Sequence, residues 1–153
     1  MFKGLFHGIA AGAAGTTALN AATYADMAVR GRPASSMPSK AVEKMAHEAG
    51  VEIPGEGDER ENRVQGLGPL QGIAVGVGVG AAIGFLRGLH IRLPFLADSV
   101  VIGAAAMVAA DLPMAQMGLT DPKKWSEKDW MSDALPHLAY GAMTHLALRA
   151  MEK

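Results

Sequence analysis

The sequence predicts an all-α protein: a four-transmembrane-helix bundle with a short amphipathic surface helix between the first and second spans. Three observations carry this reading. Two long runs lack Asp, Glu, Lys and Arg altogether, 22 residues between Lys3 and Asp26 and 23 between Arg63 and Arg87. A helix needs about 20 apolar residues to cross a hydrocarbon core about 30 Å thick. The second run carries glycine at every fourth position. The composition suits closely packed helices, since half of the 153 residues are hydrophobic, only 5% are aromatic and 19 are Gly.

Composition also excludes several function classes. The chain has no Cys, so it builds no disulfide scaffold, no Cys-ligated zinc or iron–sulfur centre and no thiol nucleophile. Its net charge of -1 gives no bulk attraction to nucleic acid, which is not expected as a partner. Charged residues make up 19%, below the roughly 25% of ordinary soluble domains.

Residues 1–153 read as one membrane domain. The first span covers about 4–29. Its apolar run exceeds the 7–15 residues of a cleavable signal's core, so it reads as a retained span. Arg30, Gly31, Arg32 and Pro33 end it, with the arginines at headgroup level. The loop 30–65 holds the surface helix, Lys40 to Ala49, capped by Ser39, with Ala41, Val42, Met45 and Ala49 on one side. Its acidic part, Glu52 to Arg63, reads as a mobile loop.

The second span covers about 66–88 and turns through the basic segment Arg87 to Pro94. The third, about 93–118, is long enough but carries Asp98 and Asp111. The interfacial loop 119–133 holds Trp125 and Trp130, which suit a membrane–water boundary. The fourth span is about 134–151, with Pro136 in its first turn. Its uncharged core, Ala134 to Leu148, is short, and it spans with Arg149 reaching to the interface.

Gly72, Gly76, Gly80, Gly84 and Gly88 form a tandem small-xxx-small ridge that permits close helix approach. Gly8, Gly12 and Gly15 offer a matching stripe on the first helix, continued by Leu19, Ala22 and Asp26. Packing of these two helices within one chain is the favoured reading, and a homo-oligomer is the alternative.

An ionisable group at membrane depth needs a reason. Asp111 shares a stripe with Gly103 and Met107, and Pro113 follows it. Together with a loosened carbonyl and a histidine it forms a candidate polar nest. Asp98 lies nearer the headgroups and reads as a helix cap. Thirteen residues put Asp98 and Asp111 on different faces, which argues against a catalytic pair. His137 and His145 flank Gly141 on the last helix, with Tyr140 and Thr144 alongside. At a rise of about 1.5 Å per residue the two histidines lie about 12 Å apart and cannot hold one metal together. Asn20, with Thr16, Thr23 and Tyr24, forms a polar seam suited to interhelical hydrogen bonds. His7 reads as interfacial, and His47 and His90 as solvent-exposed. No hydrolase elbow, phosphate loop or HExxH is present, and neither a cofactor nor a metal is expected.

In the last third, Leu112-Pro113-Met114, Met117-Gly118-Leu119-Thr120-Asp121-Pro122, a tryptophan at Trp125 or Trp130, Ser132 and His137-Leu138 stand in one succession. This succession resembles the end of the YagU-like inner-membrane proteins of bacteria. The loop with Arg32-Pro33 and Ser36-x-Pro38 is similar to that of related actinobacterial-type membrane proteins. The resemblance implies an inner-membrane location and a structural element shared by Pro113, Gly118, Pro122 and His137. It implies no activity.

Four spans place both termini on one side. The loops after the first and third spans hold nine Lys and Arg, from Arg30 to Lys128; the other side holds five, Lys3, Arg87, Arg92, Arg149 and Lys153. The positive-inside rule puts the larger loops in the cytoplasm. The function expected is non-enzymatic: a structural, stress-related or accessory role in a lipid bilayer, alone, as a homo-oligomer or in a larger membrane complex. The alternatives are a proton-coupled or small-solute carrier using Asp111 with His137 or His145, and a soluble all-α ligand-binding bundle.

Overall fold

The computed structural model describes residues 2–88 and 93–152. Among these it has no strand. Its α-helices are α1 (Phe2–Arg30), α2 (Met37–Glu48), α3 (Gly57–Arg87), α4 (Phe95–Gln116) and α5 (Glu127–Met151), with a 3-10 turn at Pro122–Lys124. His90 and Arg92 of the basic turn, and Lys153, lie outside the described residues.

Glycine sets the closest helix pair. Gly4 lies against Gly84, Gly8 against Gly80 and Gly84, and Gly12 against Gly76 and Gly80, so α1 and α3 run antiparallel. A Cβ on Gly80 would stand 2.6 Å from the Gly12 nitrogen, and one on Gly84 2.7 Å from that of Gly8. No side chain fits there. The pattern departs from the expected ridge at one end. Gly72 has no neighbour for a Cβ within 4 Å, whereas Gly88, the C-terminal cap of α3, lies 3.8 Å from where a Cβ on Gly4 would stand. Gly15 turns away from α3, because a step of three residues rotates backwards where a step of four rotates forwards. It faces Tyr140 and Thr144 of α5.

The other pairs follow the same antiparallel scheme. Thr144 Oγ1 donates to the Ala11 carbonyl (3.4 Å), and Arg30 Nη1 to Ser132 Oγ (2.7 Å), which lays α5 along α1. Between α4 and α5, Gly103 sits under the His137 carbonyl and Gly141 under that of Ser99. The chain therefore runs up, down, up and down through α1, α3, α4 and α5. The starts of α1 and α4 and the ends of α3 and α5 share one end of the bundle. The long connections share the other.

Helix boundaries differ from the sequence reading in three places. The acidic stretch after Gly57 is helical, not a loop. Asp58 and Glu59 complement the N-terminal dipole, and Glu59 pairs with Arg63 one turn on at 2.6 Å. α2 begins at Met37 behind Ser36, with Pro38 in its first turn, and Ser39 is not its cap. Its Ala41 is only 1% exposed and Pro38 rests on Gly68, so the apolar side of α2 packs on α3. α5 begins at Glu127, inside the expected interfacial loop, because Ser126 and Asp129 form a reciprocal capping box. The Ser126 hydrogen bonds hold the Asp129 carboxyl below the usual carboxylate range. Pro136 consequently lies inside α5 and not in its first turn.

Length and hydropathy qualify two helices to cross a membrane, α3 and α4, where the sequence suggested four spans. α1 and α5 are long enough but more polar, with Thr16, Thr17, Asn20 and Asp26 in one and Asp129, Asp133, His137 and His145 in the other. In the apolar stretch of α3 only 17% of residues are buried, and in that of α4 33%. The buried apolar residues are few, mostly small, and matched in number by buried polar ones. Leu70, Ile73, Phe85, Val100, Val101, Val108 and Leu112 are exposed. The accessible surface is 9410 Å², against about 7,400 Å² for a compact soluble monomer of this size.

Replacing Gly80 by Leu drives a side chain into the Gly12 backbone. Overpacking of this kind costs about 1–3 kcal/mol or more. Gly72→Leu points into open space and is expected to change stability by no more than about 0.5 kcal/mol. Thermal unfolding in detergent distinguishes the two, and equal midpoints would refute the contact.

Candidate functional site

Two clusters of ionisable side chains stand at opposite ends of the α4–α5 pair. The first lies where the termini meet. Arg87, the last residue of α3, points its guanidinium at Asp98 in the first turn of α4, and the same Asp98 Oδ2 lies 2.6 Å from His145 Nδ1 on α5. Arg87 Nη2 is 2.8 Å from that ring nitrogen, and Arg87 Nη1 is 3.5 Å from a Glu152 carboxylate oxygen. Arg87 is 8% exposed, Asp98 7% and His145 3%. Phe95 closes the site edge-on against the His145 ring, with centroids 5.2 Å apart.

The Arg87–Asp98–His145 triangle cannot satisfy all three of its contacts. Arginine only donates and an ionised carboxylate only accepts. If His145 Nδ1 carries a proton it donates to Asp98 and faces an arginine donor. If Nδ1 is bare it accepts from Arg87 and faces a carboxylate oxygen. The Arg87–Asp98 bond survives in both arrangements, so it anchors the cluster. Arg87 Nε and His145 Nε2 are buried without a partner.

The second cluster lies at the loop end. The Asp111 carboxyl, on the last turns of α4, meets that of Asp133 on α5, with His137 beside them. The His137 Nδ1–H donates to the Asp133 carbonyl at 2.8 Å, and Asp133 Oδ1 lies 3.5 Å away. Two carboxyls in contact repel unless one holds a proton. Asp111 Oδ2 and Asp133 Oδ2 are buried without partners.

A packed layer separates the clusters. Ile102, Ala106 and Tyr140 form its core, with Leu19, Val79 and Ile83 against it. The Tyr140 hydroxyl donates to the Gly76 carbonyl at 2.6 Å, tying α5 to α3.

These positions revise several expectations. Asp98 is a buried ion-pair partner and not a helix cap, a place taken by Pro94. The two histidines are sorted, His137 to Asp111 and His145 to Asp98, so Asp111 and His145 do not share a site. Asn20 makes no side-chain hydrogen bond among the described residues. Thr16 bonds its own helix, at the Gly12 carbonyl (2.8 Å), and Tyr24 is exposed. Arg87 and Asp133 were missed. Both had a signal: Arg87 stands across a short turn from Asp98, and Asp133 stands one helical turn before His137. Among the described residues no group of three His, Asp or Glu side chains could hold a metal ion.

Removing one member of a buried ion pair leaves the other unpaired, at a cost of about 3–5 kcal/mol. Asp98→Ala should therefore lower stability steeply in a detergent unfolding assay. Pairing it with Arg87→Met should restore much of the loss. A double variant no better than the single would break the assignment of Arg87 to Asp98.

No family model matches the chain, nor does any curated protein or solved structure.

Proposed function

We propose that this chain is a small multi-pass protein of the bacterial inner membrane, in the manner of the YagU-like proteins. Its role is structural, stress-related or accessory, and not catalytic. One observation carries the membrane reading: large apolar side chains cover the outside while glycine, alanine and polar groups fill the inside. Water would penalise that inversion, and lipid favours it.

Helix contacts support reading four spans where hydropathy alone marks two. The glycines of α1 lie against the apolar half of α3, from Gly76 to Gly84. If α3 crosses the bilayer, α1 lies at the same depth. The same holds for α5, which lies along α4 through Gly103 and Gly141. The modest hydropathy of α5 is tolerable because His137, Thr144 and His145 are buried against other helices; in α1 Thr16 is buried, while Thr17 and Tyr24 are exposed. The bilayer is then the main partner, and a second copy or a larger complex would meet the bundle through it.

The carrier reading retains one supporting observation, the unpartnered buried oxygens of Asp111 and Asp133. Against it stands the packed layer around Ile102, Ala106 and Tyr140, which lies between the two clusters.

The chain lacks Cys, so single-Cys variants label cleanly. The protein should stay in carbonate-washed membranes. An impermeant maleimide should reach Phe2→Cys and Glu152→Cys from outside intact spheroplasts, and Glu56→Cys and Lys124→Cys only after lysis. Labelling of all four from one side would sink the four-span arrangement. A preparation monodisperse in buffer without amphiphile would sink the membrane reading.

For the accessory role, vesicles holding wild type or Asp111→Asn and a pH-sensitive dye should show the same proton leak as empty vesicles. A wild-type flux that the substitution abolishes would favour the carrier.

A further inference from the structure

Where α1 ends and α5 begins, the chemistry changes abruptly over one helical turn. Asp26, Arg30, Lys128, Met131 and Leu135 line an open cleft of about 300 Å³, at the lower limit of the range for small-molecule sites. Met131 is 59% exposed and Leu135 54%. Trp125 and Trp130 meet edge to face at 5.0 Å at the same end of α5, where a boundary between lipid and water would run.

The acids near the cleft are already occupied. Asp26 accepts from Arg30 Nη1 at 3.2 Å and from Arg32 Nε at 2.5 Å. Asp129 accepts from Ser126 in the helix cap. The cations are not used up. Arg30 is pinned by its Nη1 bonds to Asp26 and to Ser132 on α5. Its other N–H groups have no acceptor among the described residues, and Lys128 makes no ion pair among them. A positioned guanidinium and an unpaired ammonium thus stand over an exposed apolar floor.

We propose that this cleft binds the headgroup of an anionic phospholipid. The phosphate sits between Lys128 and the free edge of Arg30, and the first methylenes of an acyl chain lie along Met131 and Leu135. A free anion would use the two cations and leave the apolar floor bare. A zwitterionic lipid brings its own cation into competition with Lys128. Basic residues at a membrane surface strengthen the binding of anionic headgroups by about fivefold each. The proposal rests on the membrane reading above.

The test uses the full-length protein in detergent, followed by thermal unfolding as lipid is added. Phosphatidylglycerol should raise the midpoint in a saturable way; phosphatidylcholine and inorganic phosphate at matched concentrations should not. Lys128→Gln should weaken the apparent phosphatidylglycerol affinity about fivefold, with helicity unchanged because the side chain is exposed. Lys40→Gln, which removes the same charge from α2, should leave the affinity as it is. Equal protection by the two lipids, equal protection by inorganic phosphate, or equal affinities for Lys128→Gln and Lys40→Gln would each overturn the site. A chain that needs amphiphile yet fails these comparisons loses only this site. One that needs no amphiphile loses the membrane reading itself.

Discussion

The rest of the structure hangs on one constraint: α1 and α3 touch backbone to backbone. Gly4, Gly8 and Gly12 face Gly84, Gly80 and Gly76, with no room for a Cβ on either side. Packed this way, two helices gain dispersion contacts along their length without interdigitating large side chains. The large side chains are therefore left to the outer surface. The same contact fixes the register, because sliding α3 by one residue would bring Val77 or Val79 against the α1 backbone.

Register in turn decides which polar groups meet. With α1 and α3 locked, Gly76 presents its carbonyl to the Tyr140 hydroxyl, and Thr144 reaches the Ala11 carbonyl. Those two bonds set the height of α5 in the bundle. The Gly103–Gly141 approach then sets the height of α4 against α5. Only after these three alignments does His145 arrive beside Asp98, and Asp98 beside Arg87. The buried ion pair is compatible with the register that the glycine contacts set. Its frustrated third contact is consistent with that order: a site selected first for its hydrogen bonds would not leave His145 Nε2 and Arg87 Nε without partners.

This order explains what could be read from the sequence. The helical class, the core of each of the four long helices and the middle of the glycine ridge were legible, because each depends on local pattern. The start of α5 was legible in principle, since Ser126 and Asp129 have capping-box spacing, but the tryptophans and charges around them pointed to a loop. The acidic segment after Gly57 was misread for a similar reason. Its charge suggested disorder, while its Glu59–Arg63 and Glu61–Gln65 spacing supports a helix. The clusters were half legible. Asp111 and the histidines stood out as polar residues among apolar ones. Their partners did not, because Arg87 sits at a helix end, where charges are ordinary, and Asp133 fell at the edge of the expected interfacial loop. Which histidine joins which aspartate depends on the α4–α5 register, and no single helix encodes it.

The vertical placement of the clusters bears on what the bundle does. Asp98 and Asp111 are thirteen residues apart on one helix, about 20 Å along its axis. Centred in a hydrocarbon layer about 30 Å thick, each would lie about 5 Å inside its own boundary. The energetic cost of a buried ionisable group is greatest at the midplane and falls toward either face. In that placement the midplane falls at Ile102, Ala106 and Tyr140, with the Tyr140 hydroxyl already committed to a backbone carbonyl. Carriers commonly do the reverse: they unwind helices at mid-depth and put their polar site there. α4 runs unbroken through that level, from Phe95 to Gln116. Ionic groups at both ends of the α4–α5 pair, with the Ile102–Ala106–Tyr140 layer between them and an unbroken α4, support the proposed accessory role over the carrier reading.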